Sequence, residues 1–171
     1  MVDRERALTV VSLALIAAVA ALWLTSPTGP LAGVFHPLDY EETTVSLADD
    51  NGTELAAVDV RVAESDRELY VGLSETGSLD TGEGMLFVHD SPGEYGYVMR
   101  NMSFPLDILF VAENGTITTV HHAPVPGDSS SDDLREYPGE GRYVLEVPRG
   151  YANATGVGVG DRVGIPDSVT R

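Results

Sequence analysis

Asn114-Gly115 lies between two strand-like runs, Leu106–Val111 (LDILFV) and Thr116–His122 (TITTVHH). A two-residue Asn-Gly loop favours positive φ at both positions and closes an antiparallel hairpin in one register. Setting Glu113 opposite Thr116 places Leu109 opposite Val120 and Asp107 opposite His122. A second Asn-Gly, in Ala48-Asp-Asp-Asn-Gly52, joins Thr43–Leu47 to Glu54–Ala63 as another hairpin. Ser65-Asp-Arg-Glu68 has the form of a capping box and starts a short helix from Asp66 to Ser74. Met85–Val88 reads as a buried strand, and a turn at Gly93-Glu94 leads into a strand over Tyr95–Asn101. After an acidic loop from Ala123 to Gly141 come a strand at Tyr143–Val147, a helical turn at Gly150–Ala154 and a closing strand at Val159–Ile165. Short strands with one or two short helices predict a mostly β (α+β) fold, a small antiparallel β-barrel or rolled sheet.

Arg100, Asn101 and Asp107 interrupt apolar strand sequence in YVMRNMSFPLDILFV, residues 97–111. If Tyr95–Asn101 and Leu106–Val111 pair as consecutive strands, Arg100 falls opposite Asp107, Tyr97 opposite Phe110 and Val98 opposite Leu109. Arg100, Asp107 and His122 then form one cross-strand row; a slip of one residue brings His121 to Asp107 instead. One reading is an ion pair that sets register at the sheet end. The other is a polar pocket in which Arg100 binds an anion, Asn101 orients it, and Asp107 with His122 moves a proton. In YVLEVP, alternation puts Tyr143, Leu145 and Val147 on one face and Val144 with Glu146 on the other. Glu146 is therefore a candidate base, a partner for Arg100, or a charge on a solvated face.

The pattern calls for no metal and no cofactor. His121 and His122 are adjacent and point to opposite faces of a strand, His36 lies far upstream, and His89 follows a buried run. Asp128, Asp132, Asp133 and Glu136 lack the spacing of a calcium loop and read as a solvated loop or a lid over a barrel mouth. No G-x-S-x-G elbow is present, and the glycine runs lack the lysine of a phosphate loop.

Ala7–Leu24 contains no charged residue. At ~1.5 Å per residue it reaches ~27 Å, close to the thickness of a bilayer core. Arg4 and Arg6 precede it, the next arginine is Arg61, and Trp23 stands at an interfacial position. These features predict a single-pass membrane anchor with the C-terminal domain outside; a cleaved signal peptide is the alternative. All four asparagines lie in N-x-[ST] form, with Asn51 and Asn153 as the glycosylation candidates. The organisation expected is an anchor at 1–24, a Pro/Gly-rich tether at 25–39, a folded domain at 40–165 and a tail at 166–171. With no lysine and a net charge of −17, the chain has no patch to neutralise nucleic acid phosphates. The same acidity suits a protein kept soluble in high salt, as in a haloarchaeal-type organism.

The linked segments YVGLSETGSLDTGEGMLFV, YVMRNMSFPLDILFV and RYVLEVPRGYA resemble the domain of unknown function 192 family, from about Val58 to Val163. The resemblance implies a compact β-rich, barrel-like fold, and a polar set that falls here on Met99, Arg100, Asn101, Asp107 and Glu146. Ser74, Val98, Arg100 and Met102 depart from the usual Met, aromatic, Lys and Thr. The function expected is a binding module for a small ligand, a glycan or an envelope protein, with ligand residues Met99, Arg100, Asn101 and Asp107. One alternative is an envelope hydrolase or lyase with Asp107 or Glu146 as base and His122 as proton carrier. The other is a structural accessory of a membrane complex.

Overall fold

A computed structural model describes residues 38–127 and 134–170. The strands are β1 (Glu41–Ala48), β2 (Glu54–Ala63), β3 (Glu83–Val98), β4 (Leu106–Val111), β5 (Ile117–Ala123), β6 (Glu136–Pro148) and β7 (Arg162–Gly164). Two short helices, α1 (Asp66–Val71) and α2 (Tyr151–Thr155), complete the described elements. The strands form one seven-stranded sheet in the order β5-β4-β6-β3-β2-β1-β7. Every pairing is antiparallel except β2 with β3. That parallel pair requires a crossover, and α1 lies within it. The start of α1 follows from the capping box: Glu68 N–H donates to Ser65, and Ser65 N–H donates to the Glu68 carboxylate.

The sheet curls until its ends meet at one corner. Thr116 bridges Arg162, Ile117 N–H donates to Asp161 O at 2.8 Å, and Val163 N–H donates to Gly115 O at 2.8 Å. The result is a rolled half-barrel rather than a fully laddered one. The Asn114-Gly115 turn therefore shapes a hairpin and also supplies the contact that closes the roll.

Both faces of the sheet are covered. Inside the roll, Val45, Leu47, Val58, Leu109, Tyr143 and Val163 belong to one core. On the other face Met85, Phe87, Ile108, Phe110 and Val144 pack with Leu73, Met99 and Met102 from the segments that follow α1 and β3. Burial from both sides explains why LDILFV carries no polar alternation beyond Asp107, for all six of its residues are buried.

The Asn114-Gly115 hairpin has the expected register over Asp107–Phe110, with Asp107 opposite His122 and Leu109 opposite Val120, but not at the turn: a shift after Phe110 sets Val111 opposite Ile117, and Ala112 rather than Glu113 bonds to Thr116. The pairing of Arg100 with Asp107 does not occur. The second half of β3 pairs with β6, setting Tyr97 opposite Tyr137, and β4 lies on the far side of β6. The cause is that Glu136–Gly141 is strand rather than loop. Its proline and glycines masked it, yet Gly139 is the residue that makes room for the Phe110 ring, which a Cβ there would meet at 2.4 Å. Likewise β3 is one strand with an irregularity between Val88 and Gly93, not two strands about a turn.

The apolar run Ala7–Leu24 and the acids Asp128, Asp132 and Asp133 lie outside the described residues. Among the described residues no helix is long and apolar enough to cross a membrane.

Two glycines separate turn strain from closure. Gly52 and Gly115 both have positive φ, +87° and +84°, but only at Gly115 would a Cβ strike backbone, 2.7 Å from Val163 O. Gly52→Ala is expected to lower unfolding free energy by about 1 kcal/mol, and Gly115→Ala by at least about twice that. Denaturant unfolding at molar salt measures both, and equal losses would show that the corner contact contributes nothing.

Candidate functional site

A cavity of about 370 Å³ opens on the face of the sheet that carries α1. Its walls are α1 with Gly72–Ser74, both halves of β3, Met99, Arg100 and Met102 after it, Leu106 of β4, and Glu146 of β6. Gly72 sets the distance of the α1 wall: its φ is +49°, and a Cβ there would lie 3.0 Å from the Phe87 ring. From β3 come Phe87, His89, Tyr95 and Tyr97. Tyr97 meets Phe87 edge to face at 5.1 Å, and its phenol hydrogen-bonds His89 Nε2 at 3.0 Å. His89 in turn stacks on Tyr95 with ring centroids 3.5 Å apart. Burial lowers the His89 pKa, which keeps the ring neutral at ordinary pH.

At the rim, Arg100 lays its guanidinium 3.8 Å over the Tyr70 ring and donates to the Tyr70 carbonyl. Tyr70 and Val98 are exposed beside it.

Glu146 faces the cavity from β6, flanked by Met85 on β3 and Ile108 on β4. Its residue is only 5% exposed. Among the described residues no hydrogen bond reaches its carboxyl, whose oxygens are not sealed off but open on the cavity. Desolvation pushes its pKa up to about 8. Burial, then the nearby Glu146 charge, also drives the Tyr97 phenol well above its usual value.

Asp107 belongs to the opposite face, with Leu109 and Val111, and is fully buried. Its Oδ1 accepts from His122 Nδ1 at 2.6 Å. Its Oδ2 accepts from the backbone N–H of Gly150 at 2.9 Å and of Ala152 at 3.0 Å. The carboxylate thus ties the turn into α2 down onto β4, and His122 completes its shell.

The sequence-derived constellation therefore divides. Asp107 and His122 meet as expected, and Arg100 lies apart from them at the cavity rim. His121 does not reach Asp107; it packs against Phe110 and donates to Pro138 O at 2.7 Å. Met99 is a buried wall of the cavity, whereas Asn101 is exposed, adopts a left-handed φ of 56°, and does not line it. Asn51 and Asn153 are both exposed, in the β1–β2 turn and in α2. Among the described residues no three His, Cys, Asp or Glu side chains group as a metal site would require. Sequence reasoning missed the ring system of β3. The two-residue spacings Phe87-x-His89 and Tyr95-x-Tyr97 were its signal, hidden by reading β3 as two separate strands.

The fold and the cavity define a small rolled β-domain with an aromatic recess on its outer face. A family model for DUF192, described as "Uncharacterized ACR, COG1430", matches residues 47–165, and the chain belongs to that family. Two solved structures are similar, both with a TM-score of 0.65. One, from Sinorhizobium meliloti 1021, is described provisionally as a transcription regulator; it is 29% identical, and the match covers 75% of this chain and 96% of that one. The other, a protein of unknown function from Novosphingobium aromaticivorans, is 28% identical, with 76% of this chain and 90% of that one covered. No curated protein matches the chain in sequence.

The two carboxyl groups have opposite consequences for stability. Asp107→Ala leaves the buried N–H of Ala152 and the half-buried N–H of Gly150 unpaired and is expected to cost about 3 kcal/mol in denaturant unfolding. Glu146 in the unfolded chain ionises near 4.5 but in the fold only near about 8. The unfolded state therefore holds fewer protons between those values, so this group lowers stability as pH rises through that window and adds no slope above it. Glu146→Gln should remove this component and be the more stable protein at alkaline pH, by on the order of a few kcal/mol. Parallel pH profiles of wild type and variant would refute the burial argument.

Proposed function

We propose that this DUF192 domain is a binding module for a small ligand, seated in the cavity between Glu146 and the Arg100 rim. The observation that carries this reading is a buried carboxyl with no hydrogen bond among the described residues, open to a cavity of ligand size. Burying such a group is unfavourable, and nothing in the packing offsets it. A role in organising the fold would have predicted partners like those of Asp107. The surroundings suit small-molecule recognition: mostly apolar and aromatic walls, with one charged residue deep and another at the mouth. Tyr70 and Val98 extend the apolar surface at the entrance.

The enzyme alternative draws less support. Both oxygens of Asp107 are engaged in structural bonds, which leaves Glu146 as the base candidate without His122 as its relay. The apolar run Ala7–Leu24 and the arginines before it support a module tethered to the membrane with its cavity outside, and the acidic surface supports a high-salt setting. That acidity speaks against carrying the description of the Sinorhizobium relative over to nucleic acid binding here.

A thermal-unfolding screen of the full chain in detergent and molar salt tests the site. Compounds that raise the midpoint should lose their effect in both Arg100→Ala and Glu146→Gln, yet keep it in His122→Ala. Stabilisation that survives the first two substitutions, or a broad library without a single hit, would reject the cavity as the site.

A further inference from the structure

Resting on that reading, we propose that the cavity selects a small organic ammonium ion, with the cationic end against Glu146 and the apolar body against the β3 rings.

The argument begins with the charges that face the cavity. Glu146 and Arg100 are the charged residues among its described walls, and they are not equally available. Arg100 is already engaged, stacked on Tyr70 and donating to the Tyr70 carbonyl. Its charge stays at the mouth. At the deep end the carboxyl of Glu146 is uncompensated, and an ammonium there supplies both the opposite charge and hydrogen-bond donors. The rings point the same way. Phe87, Tyr95 and Tyr97 line the recess, and the faces of aromatic π-systems attract cations. The net charge of −17 further favours arrival of a cation over an anion.

The other titratable and charged groups on the cavity walls are His89, held neutral by burial, with Tyr95 and Tyr97 from β3, Tyr70 from α1, and Arg100 after β3. The contributions of β4 and the start of β3, Leu106, Ile108 and Met85, are apolar. An ammonium therefore binds the ionised carboxylate and displaces the proton that burial keeps on Glu146. The proton leaves to buffer, one for each cation bound in the protonated state. Affinity must then rise with pH until Glu146 is ionised without help. A neutral ligand that accepts a hydrogen bond from the protonated carboxyl would show the reverse trend.

The probes are phenethylammonium, phenethyl alcohol and phenylpropanoate, three molecules of one shape and three charges. Calorimetric titration of the full chain in detergent, between about pH 6 and about pH 9 and in two buffers of different ionisation enthalpy, reads affinity and proton release together. The expected result is binding of the ammonium with an affinity that climbs up to about tenfold per pH unit before levelling, with protons released on the climbing limb. Glu146→Gln should weaken it at least about tenfold, Glu146→Leu likewise should one variant fold poorly, and His122→Ala, outside the cavity, should leave both affinity and pH trend intact. Equal or tighter binding of the alcohol or the carboxylate would overturn the ammonium assignment while leaving the cavity as a ligand site. Failure of all three probes, alongside hits of other chemistry in the thermal screen, would do the same. Failure of both the probes and the screen would remove the binding reading itself.

Discussion

β6 is the strand on which the rest of the molecule depends. It pairs with β3 along one edge and with β4 along the other, so one alternation of side chains assigns residues to both cores at once. Tyr143, Leu145 and Val147 go inside the roll, and Val144 and Glu146 go to the outer face. A shift of one residue would exchange the two sets and place the carboxyl of Glu146 in the closed core. The ladder hydrogen bonds that hold this register are many and cooperative, which lets them carry one unfavourable buried acid. The fold is therefore stable enough to keep a site that is not itself stabilising.

The two buried acids show how environment, not residue type, decides a role. Asp107 has three hydrogen-bond donors on its two oxygens and connects β4, β5 and the turn into α2. Glu146 has apolar neighbours and an open cavity before it. A satisfied carboxylate is a joint in the structure, whereas an unsatisfied one is a group held ready for something outside it. Arg100 belongs with the second, although chain proximity first suggested the first.

Local chemistry was legible wherever a short segment decides its own conformation. The Asn-Gly turns at Asn51 and Asn114, the capping box at Ser65–Glu68 and the alternation of YVLEVP all need only neighbouring residues. The Asp107–His122 contact was readable because the Asn-Gly turn makes β4 and β5 partners, and the irregularity after Phe110 offsets the longer turn so that the count at Asp107 comes out as a two-residue loop would have it. The Arg100–Asp107 contact was not, since it assumed that strands consecutive in the chain are neighbours in the sheet. β6 comes between them, and its first residues, Glu136–Gly141, carry the composition of a loop. Their strand conformation is imposed by partners: β3 offers its second half as an edge, and the Phe110 ring fills the space that Gly139 leaves.

The sequence by itself determined the class of fold, the two Asn-Gly hairpins, the strongly acidic charge and the family, and it narrowed the partner of Asp107 to His122 or His121. Each of these is set by composition or by interactions within a few residues. Only the tertiary structure decided that Arg100 and Asp107 part company, that Phe87, His89, Tyr95 and Tyr97 share one recess, and that Glu146 stands among them without a bonding partner among the described residues. Those facts depend on which strands lie side by side. Strand order is a global compromise between burying two faces and closing one sheet, and no single stretch of chain encodes it.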